Sequence, residues 1–186
     1  MFRSPSMRYL IEVINLNEEH WMVIEIFGQE TAVGWRRDKD ARNKSRHRGL
    51  TLADGLPVID NQNSKRALQY VGGQEREIYA GFGAGSRKLF VVIQWVDEGD
   101  FPAFRMISVR DYEKRDRYQF DMNEDMNDPT IDPDNPPLTG NEVWIPAREG
   151  FLASYAKVAA RIAARKKSEK AQSDAAEPAQ PKITDS

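Results

Sequence analysis

The chain of 186 residues contains no cysteine and only two histidines, His20 and His47. The absence of cysteine excludes disulfide bonds and thiolate metal ligands, which is typical of a protein from a reducing compartment. No stretch approaches the roughly 20 consecutive apolar residues that a membrane-spanning helix needs, and the N-terminus shows no secretory signal pattern. We therefore expect a cytoplasmic protein without a membrane partner.

Basic residues are missing from one part of the chain. Between Asp121 and Ala147 there are seven acidic residues, five prolines and no lysine or arginine, a composition that is typical of a linker. Residues 31–120, by contrast, carry 17 basic and 12 acidic side chains, whereas residues 121–186 carry 8 basic and 12 acidic ones. The net charge of −2 therefore hides a basic middle, the candidate for nucleic-acid binding, and an acidic tail.

Two segments near the N-terminus, residues 8–15 and 20–27, are rich in β-branched and aromatic residues. The polar residues between them favour a turn, so the two segments predict a β-hairpin. His20 precedes an apolar run and is interpreted as structural. The hairpin either extends a larger sheet or lies apart from it.

Two helices are predicted to follow the hairpin. The first covers residues 35–48 and ends at Gly49, and its helical spacing is set by Trp35, Lys39, Asn43 and either Arg46 or His47. The second begins at Thr51 and Asp54, which resemble a capping box, and carries a short apolar stripe of Leu52, Leu56 and Ile59.

Residues 75–82, 89–96 and 104–109 predict three strands, joined by connections short enough for antiparallel hairpins. Residues 89–93 are continuously apolar and indicate the central strand. Residues 81–85 have the glycines of a phosphate loop but lack the lysine that would follow, so they are interpreted as a hairpin turn. Asp111 is expected to cap a further, charged helix.

These elements predict an α+β fold: a small antiparallel sheet of three or more strands, two helices before it and one helix after it. The predicted parts are an N-terminal extension at 1–30, the main domain at 31–121, an acidic linker at 122–147, an amphipathic helix at 148–169 and a disordered tail at 170–186.

Ordered blocks between residues 35 and 120 resemble the BrnT family, the ribonuclease toxins of bacterial type II toxin–antitoxin pairs. The matching pieces are Trp35, Lys39 and Asn43, residues 49–54 and 58–60, Glu75-Arg76 with Gly81, residues 89–93, Arg105-Met-Ile-Ser108-Val-Arg110 and residues 114–117. The chain departs from the family at Arg36, where the family has an acidic residue. It also departs near His47, where either Arg46-His47 or His47-Arg48 stands for the family's Lys-His.

A second segment, residues 132–149, resembles the leading part of the partner antitoxin, BrnA, in its run of aspartates and prolines. Together the two resemblances imply a RelE-like fold and metal-independent RNA cleavage without a cofactor, which inhibits translation and growth. They imply RNA as one partner. The other is a ribbon-helix-helix antitoxin in trans or the acidic segment of the same chain in cis.

RNA cleavage of this kind needs a base for the 2′-hydroxyl proton and cations for the reacting phosphate. We expect His47 to be the base, and Arg76, Arg105 and Arg110 to be the catalytic cations. Further RNA contacts are expected from Lys39, Arg46, Arg48, Ser108, Lys114, Arg115 and Arg117. Strand alternation predicts Ser108 and Arg110 on one sheet face and Arg105 on the other.

The same residues also have structural interpretations. His47 would then be a surface histidine on a solvated helix, and the strand arginines would pair with Glu75, Glu77 or Asp111. The alternative function is a non-catalytic regulatory or partner-binding module on the same fold. No grouping of acidic residues with histidine has the spacing of a metal site, so no metal is expected.

Overall fold

The protein folds around one mixed β-sheet. The computed structural model describes residues 19–97, 99–112 and 142–176, of which residues 174–176 are described in their backbone only. The described strands are β1 (Glu19–Ile26), β2 (Gln29–Arg36), β3 (Lys65–Val71), β4 (Gln74–Phe82), β5 (Lys88–Val96), β6 (Ala103–Asp111) and β7 (Ile145–Pro146). Their order is β1-β2-β6-β5-β4-β3-β7, and β2 and β6 are the parallel pair among them. The predicted α+β class is confirmed, with a larger sheet than expected.

Three α-helices belong to the described residues: α1 (Arg37–Arg46), α2 (Leu56–Ile59) and α3 (Ala147–Ala176). The capping box at Thr51 and Asp54 is confirmed, and it opens a 3₁₀ turn at Leu52–Gly55 that leads into α2. The Asp54 N–H donates to the Thr51 hydroxyl over 3.2 Å, and the Thr51 N–H donates to the Asp54 carboxylate over 2.7 Å. None of the described helices is long and apolar enough to cross a membrane.

The N-terminal hairpin differs from its prediction. Its first expected strand, 8–15, lies outside the described residues, and β1 pairs instead with β2, a segment whose end was predicted to be helical. Trp35 therefore lies in a strand, and α1 begins two residues later than expected. Phe27 and Gly28 form the turn with φ values of +49° and +79°, as in a type I′ turn. The hairpin extends the main sheet, because β2 pairs with β6.

The predicted strands at 75–82, 89–96 and 104–109 are confirmed as β4, β5 and β6, and β5 is the central strand. Residues 83–87 connect β4 to β5, so the expected hairpin connection is confirmed, although Gly81 and Phe82 are the last residues of β4. Strand β3 was not predicted. The helix expected after Asp111, with Lys114, Arg115 and Arg117, lies outside the described residues.

The C-terminal part belongs to the same fold as the sheet. Residues predicted as the end of the linker form β7, which pairs with β3, and α3 continues through residues 170–176, which were expected to be disordered. Phe151 of α3 is fully buried and joins the core of the sheet. The predicted boundary at residue 121 therefore does not separate two cores.

The core lies on one face of the sheet, here called the helix face. It is covered by the segment from Leu50 to Ile59 and by α3. Trp95 and Phe104 contact Phe151 there, with ring centroids 5.3 and 6.4 Å from its centroid. A second, smaller cluster of Ile78, Phe90 and Val92 lies on the opposite face. That opposite face carries the three strand arginines expected to be catalytic, Arg76, Arg105 and Arg110.

Candidate functional site

The face opposite the helix face is here called the arginine face. Residue Ile107 is an extra residue in β6, because the pairing with β5 shifts there by one position. Such a bulge reverses the alternation of side chains along a strand. Arg105 therefore shares this face with Ser108 and Arg110, and the expectation that the two arginines point to opposite faces is wrong. Arg76 joins them, since it is two residues from Ile78 on β4.

Two of the predicted site residues on the arginine face, Arg110 and Ser108, are buried. The side chain of Arg110 lies over Phe90, with its guanidinium carbon 4.2 Å from the ring centroid, and its Nη1 donates to the carbonyl of Asp111 over 3.1 Å. Ser108 is 2% exposed, and its hydroxyl has no hydrogen-bond partner among the described residues. In this conformation neither residue presents its whole side chain to a ligand.

Arg105 lies further along β6, towards β1. Its side chain is 33% exposed, and its Nη2 lies 3.4 Å from a carboxylate oxygen of Glu19. The acidic partners proposed for the strand arginines in the structural interpretation pair with other residues. Glu77 binds Arg66, Asp111 binds Arg87 and Glu75 binds Lys157. Arg105 thus pairs with Glu19, which was not among the expected partners.

A second group of charges meets where β6 ends, and it is here called the end cluster: His47, Arg48, Arg87 and Asp111. Arg87 binds Asp111 through two hydrogen bonds, from Nε to Oδ1 over 2.6 Å and from Nη2 to Oδ2 over 2.8 Å. The bonds from Arg87 hold the pKa of Asp111 below its usual value, although partial burial opposes them. The positive charges of Arg48 and His47 lower that pKa further.

Helix α1 brings His47 and Arg48 to this point. The Asn43 amide is buried and replaces a neighbouring strand at the edge of β6, beyond the three residues of β6 that pair with β2. Its Oδ1 accepts from the Val109 N–H over 3.0 Å, and its Nδ2 donates to the Val109 carbonyl over 2.8 Å. The chain then leaves α1 with Arg48 at φ +53° and Gly49 at φ +82°, and this places the end of α1 beside Asp111.

The structure brings together some of the predicted residues and separates others. His47, Arg46 and Arg48 lie at the C-terminal end of α1, whereas Lys39 lies two turns earlier. His47 is half-buried and Arg48 is exposed, so the end cluster is more accessible than Arg110 or Ser108. An imidazole, two guanidinium groups and a carboxylate in one place supply the groups needed for proton transfer and phosphate binding.

Sequence reasoning missed two members of the end cluster. Asp111 was expected to cap a helix or to pair with a strand arginine, and its carboxylate binds Arg87, which the sequence analysis did not name. Arg87 lies two residues before the continuously apolar run 89–93, and that position at a strand end was the available signal. His20, interpreted as structural, packs against Trp35 with ring centroids 4.8 Å apart.

The described residues contain no group of three or more histidine, aspartate or glutamate side chains that could hold a metal ion. No model of a known protein family matches the chain, and no curated protein matches it significantly. The likeness to BrnT and BrnA, and the RelE-like fold that it implies, therefore stay predictions from the sequence motifs. The function proposed below depends on those motifs and on the geometry of the end cluster.

Proposed function

We propose that the protein is a cytoplasmic endoribonuclease of the toxin type, which inhibits translation and growth by cutting RNA. Its active site is the end cluster, and the observation that carries the proposal is that Asn43 ties the end of α1, which carries His47 and Arg48, to Val109, two residues before the Asp111 that pairs with Arg87. The ordered sequence blocks that resemble BrnT support the same function. The reaction requires neither a metal nor a cofactor.

In the proposed reaction, His47 removes the proton from a 2′-hydroxyl group of RNA, and the 2′-oxygen bonds to the adjacent phosphorus. The bond from phosphorus to the 5′-oxygen breaks, which leaves a 2′,3′-cyclic phosphate and a 5′-oxygen that takes a proton from water to become a hydroxyl, and His47 releases its proton to the solvent. The guanidinium groups of Arg48 and Arg87 stabilise the extra negative charge on the phosphate. Asp111 holds Arg87 in place through its two hydrogen bonds.

An antitoxin belongs to this proposal as the protein's partner. It is either a separate BrnA-like, ribbon-helix-helix protein or the acidic segment of the same chain, whose six acidic residues between 121 and 141 complement the cationic end cluster. Neutralising those six residues in the full chain by Asn and Gln should increase RNA cleavage if the inhibition acts in cis.

The burial of Arg110 and Ser108 favours a second candidate function. Arg110 packs on Phe90 and bonds to the backbone, so it has a structural role in this conformation, and Arg105 bonds to Glu19. In a non-catalytic regulatory or partner-binding module on the same fold, these arginines would stabilise the sheet and would not contact RNA. The test of the first proposal separates the two functions.

The test is incubation of RNA with the purified full chain and with His47→Ala and Arg48→Asn variants. Asparagine tolerates the left-handed backbone at position 48. We expect the wild type to cut RNA and His47→Ala to be slower by about 10²- to 10⁴-fold, the usual effect of losing a general base. Arg42→Ala, an exposed arginine of α1 that binds Asp38, is the control.

Arg42→Ala should cut RNA at the rate of the wild type. A wild-type chain that binds RNA and leaves it intact would favour the non-catalytic module. Equal cleavage by the wild type and His47→Ala would show that His47 is not the general base.

A further inference from the structure

We propose that Trp21, with Arg105 beside it, forms a stacking site for an unpaired base of single-stranded RNA. This inference rests on the RNA-binding function proposed above and adds a contact on the arginine face, whereas the Asp111 carboxylate of the end cluster lies on the helix face with its strand partner Leu89. Trp21 lies on β1, in the hairpin outside the blocks that resemble BrnT. Its place in the sheet is next to Gly34 of β2 and, one strand further, Arg105 of β6.

The indole of Trp21 lies directly on the backbone of Gly34. A Cβ atom at position 34 would come within 2.5 to 2.6 Å of three atoms of the indole, so any residue other than glycine would displace the ring. The indole Nε1 donates to Glu19 over 3.0 Å. One side of the ring is thus fixed by the Gly34 backbone and its edge by Glu19. An aromatic surface that is already fixed loses little entropy when a base stacks on it.

A cation accompanies this surface. The guanidinium carbon of Arg105 lies over the Trp21 ring, 5.6 Å from the ring centroid, and the same carboxylate oxygen of Glu19 contacts both residues. Proteins that bind single-stranded nucleic acid combine aromatic rings for the bases with cations for the backbone. Trp21 and Arg105 supply both groups at one place.

Burial in the apolar core does not explain the indole, which contacts Gly34, Glu19 and Arg105 instead. Trp21 is partly exposed and belongs to neither of the two buried apolar clusters of the described residues. The buried residues of β1 are Ile24 and Ile26, which lie on the helix face. A large aromatic ring outside the core, fitted onto a glycine and bordered by a guanidinium group, has the features of a binding surface.

The test measures binding of a fluorescent single-stranded RNA whose 2′-hydroxyl groups are methylated, so that the RNA cannot be cut. We expect Trp21→Ala in the full chain to weaken binding by roughly 5- to 150-fold, as for the loss of one stacked base. Trp21→Phe, which keeps an aromatic ring, should lose much less. Tyr70→Ala, which removes an aromatic ring that is 69% exposed on the distant strand β3, should leave binding unchanged.

Two further measurements make the outcome decisive. Double-stranded RNA, whose bases are already stacked, should bind the wild type and Trp21→Ala equally. Thermal unfolding should show that Trp21→Ala, Trp21→Phe and Tyr70→Ala are all folded. If the wild type binds single-stranded RNA and Trp21→Ala binds it equally well, the stacking site is wrong while the proposed function stands. If the wild type binds no RNA, both proposals are wrong.

Discussion

The side chain of Asn43 determines where α1 lies against the sheet. Beyond the short β2–β6 pairing, the backbone of β6 would otherwise present unpaired polar groups at its edge. The amide of Asn43 supplies a donor and an acceptor, the pair of groups that a neighbouring strand would offer. It also donates to the Leu50 carbonyl over 2.9 Å, so it joins α1, β6 and the following segment. His47, four residues further on, is positioned by this anchor.

We expect Asn43→Ala to destabilise the protein by about 2–4 kcal/mol, because each backbone group of Val109 left buried without a partner costs roughly 1–3 kcal/mol. RNA cleavage should fall as well in the fraction that remains folded, since His47 and Arg48 lose their position. Urea unfolding at neutral pH measures the loss of stability, and single-turnover cleavage measures the loss of activity. Asn63→Ala, at an exposed position, serves as the control.

A stable Asn43→Ala variant with normal RNA cleavage would show that other contacts place α1. A variant that is destabilised and cuts normally when folded would limit Asn43 to a structural role and leave His47 positioned by other residues.

Among the secondary-structure elements, those with a local signature were predictable from the sequence. The capping box at Thr51, the apolar run of β5 and the glycine-rich connection after β4 each depend on neighbouring residues alone. β3 also had a local signal, since Gly72 and Gly73 with φ of +57° and +79° form its hairpin turn. The alternation of apolar and polar residues that would have indicated β3 was obscured, because β3 buries the polar side chains of Arg66 and Gln69.

Elements that depend on distant pairing were not predictable. Trp35 fits both helical spacing and strand alternation, and its pairing with β1 decides between them. The bulge at Ile107 arises from the register between β5 and β6, which no local pattern encodes. For the same reason, the gathering of Arg105 and Arg110 on one face, and the meeting of Arg87 with Asp111, required the structure.

The contact between α3 and the sheet includes a buried ion pair. Glu77 is 1% exposed, and its carboxylate accepts from Arg66 over 2.5 Å, from the Tyr79 hydroxyl over 2.7 Å and from the hydroxyl of Ser154 on α3. Gly150 allows α3 to approach, because a Cβ there would lie 2.5 Å from the Arg66 side chain. This polar contact joins β3, β4 and α3.

We expect Glu77→Ala to cost about 3–5 kcal/mol in the free energy of unfolding, because it leaves the charge of Arg66 buried without its carboxylate. Glu75→Ala is the matched control on the same strand. Its pair with Lys157 spans 3.3 Å and is more exposed, so its loss should cost less than about 1 kcal/mol. Chemical denaturation of both variants measures the difference, and equal losses would contradict a special role for the buried pair.

At the scale of the whole molecule, the sheet separates two kinds of surface. The helix face carries the main core and the helices that stabilise it, while the arginine face carries Trp21, Arg105 and the buried Arg110. The end cluster lies where β6 ends. Strand alternation places the Asp111 carboxylate on the helix face with its β5 partner Leu89, while the Arg110 guanidinium on the arginine face bonds to the Asp111 carbonyl. An RNA strand that meets both proposed sites would therefore cross the arginine face from Trp21 and pass around the end of β6.

Truncation after Phe120 tests whether the chain has one core. Such a truncation isolates the segment that resembles BrnT, but it also removes β7 and α3. The loss of Phe151 uncovers Phe104 and Trp95, and truncating one buried phenylalanine alone typically costs 3–5 kcal/mol. That is a large part of the roughly 5–15 kcal/mol that stabilises an ordinary domain. We therefore expect residues 1–120 to lack a cooperative thermal transition and to bind a hydrophobic dye.

A cooperative transition near that of the full chain would instead show that the sheet is stable without α3. Increased RNA cleavage by that fragment, compared with the full chain, would then support inhibition in cis.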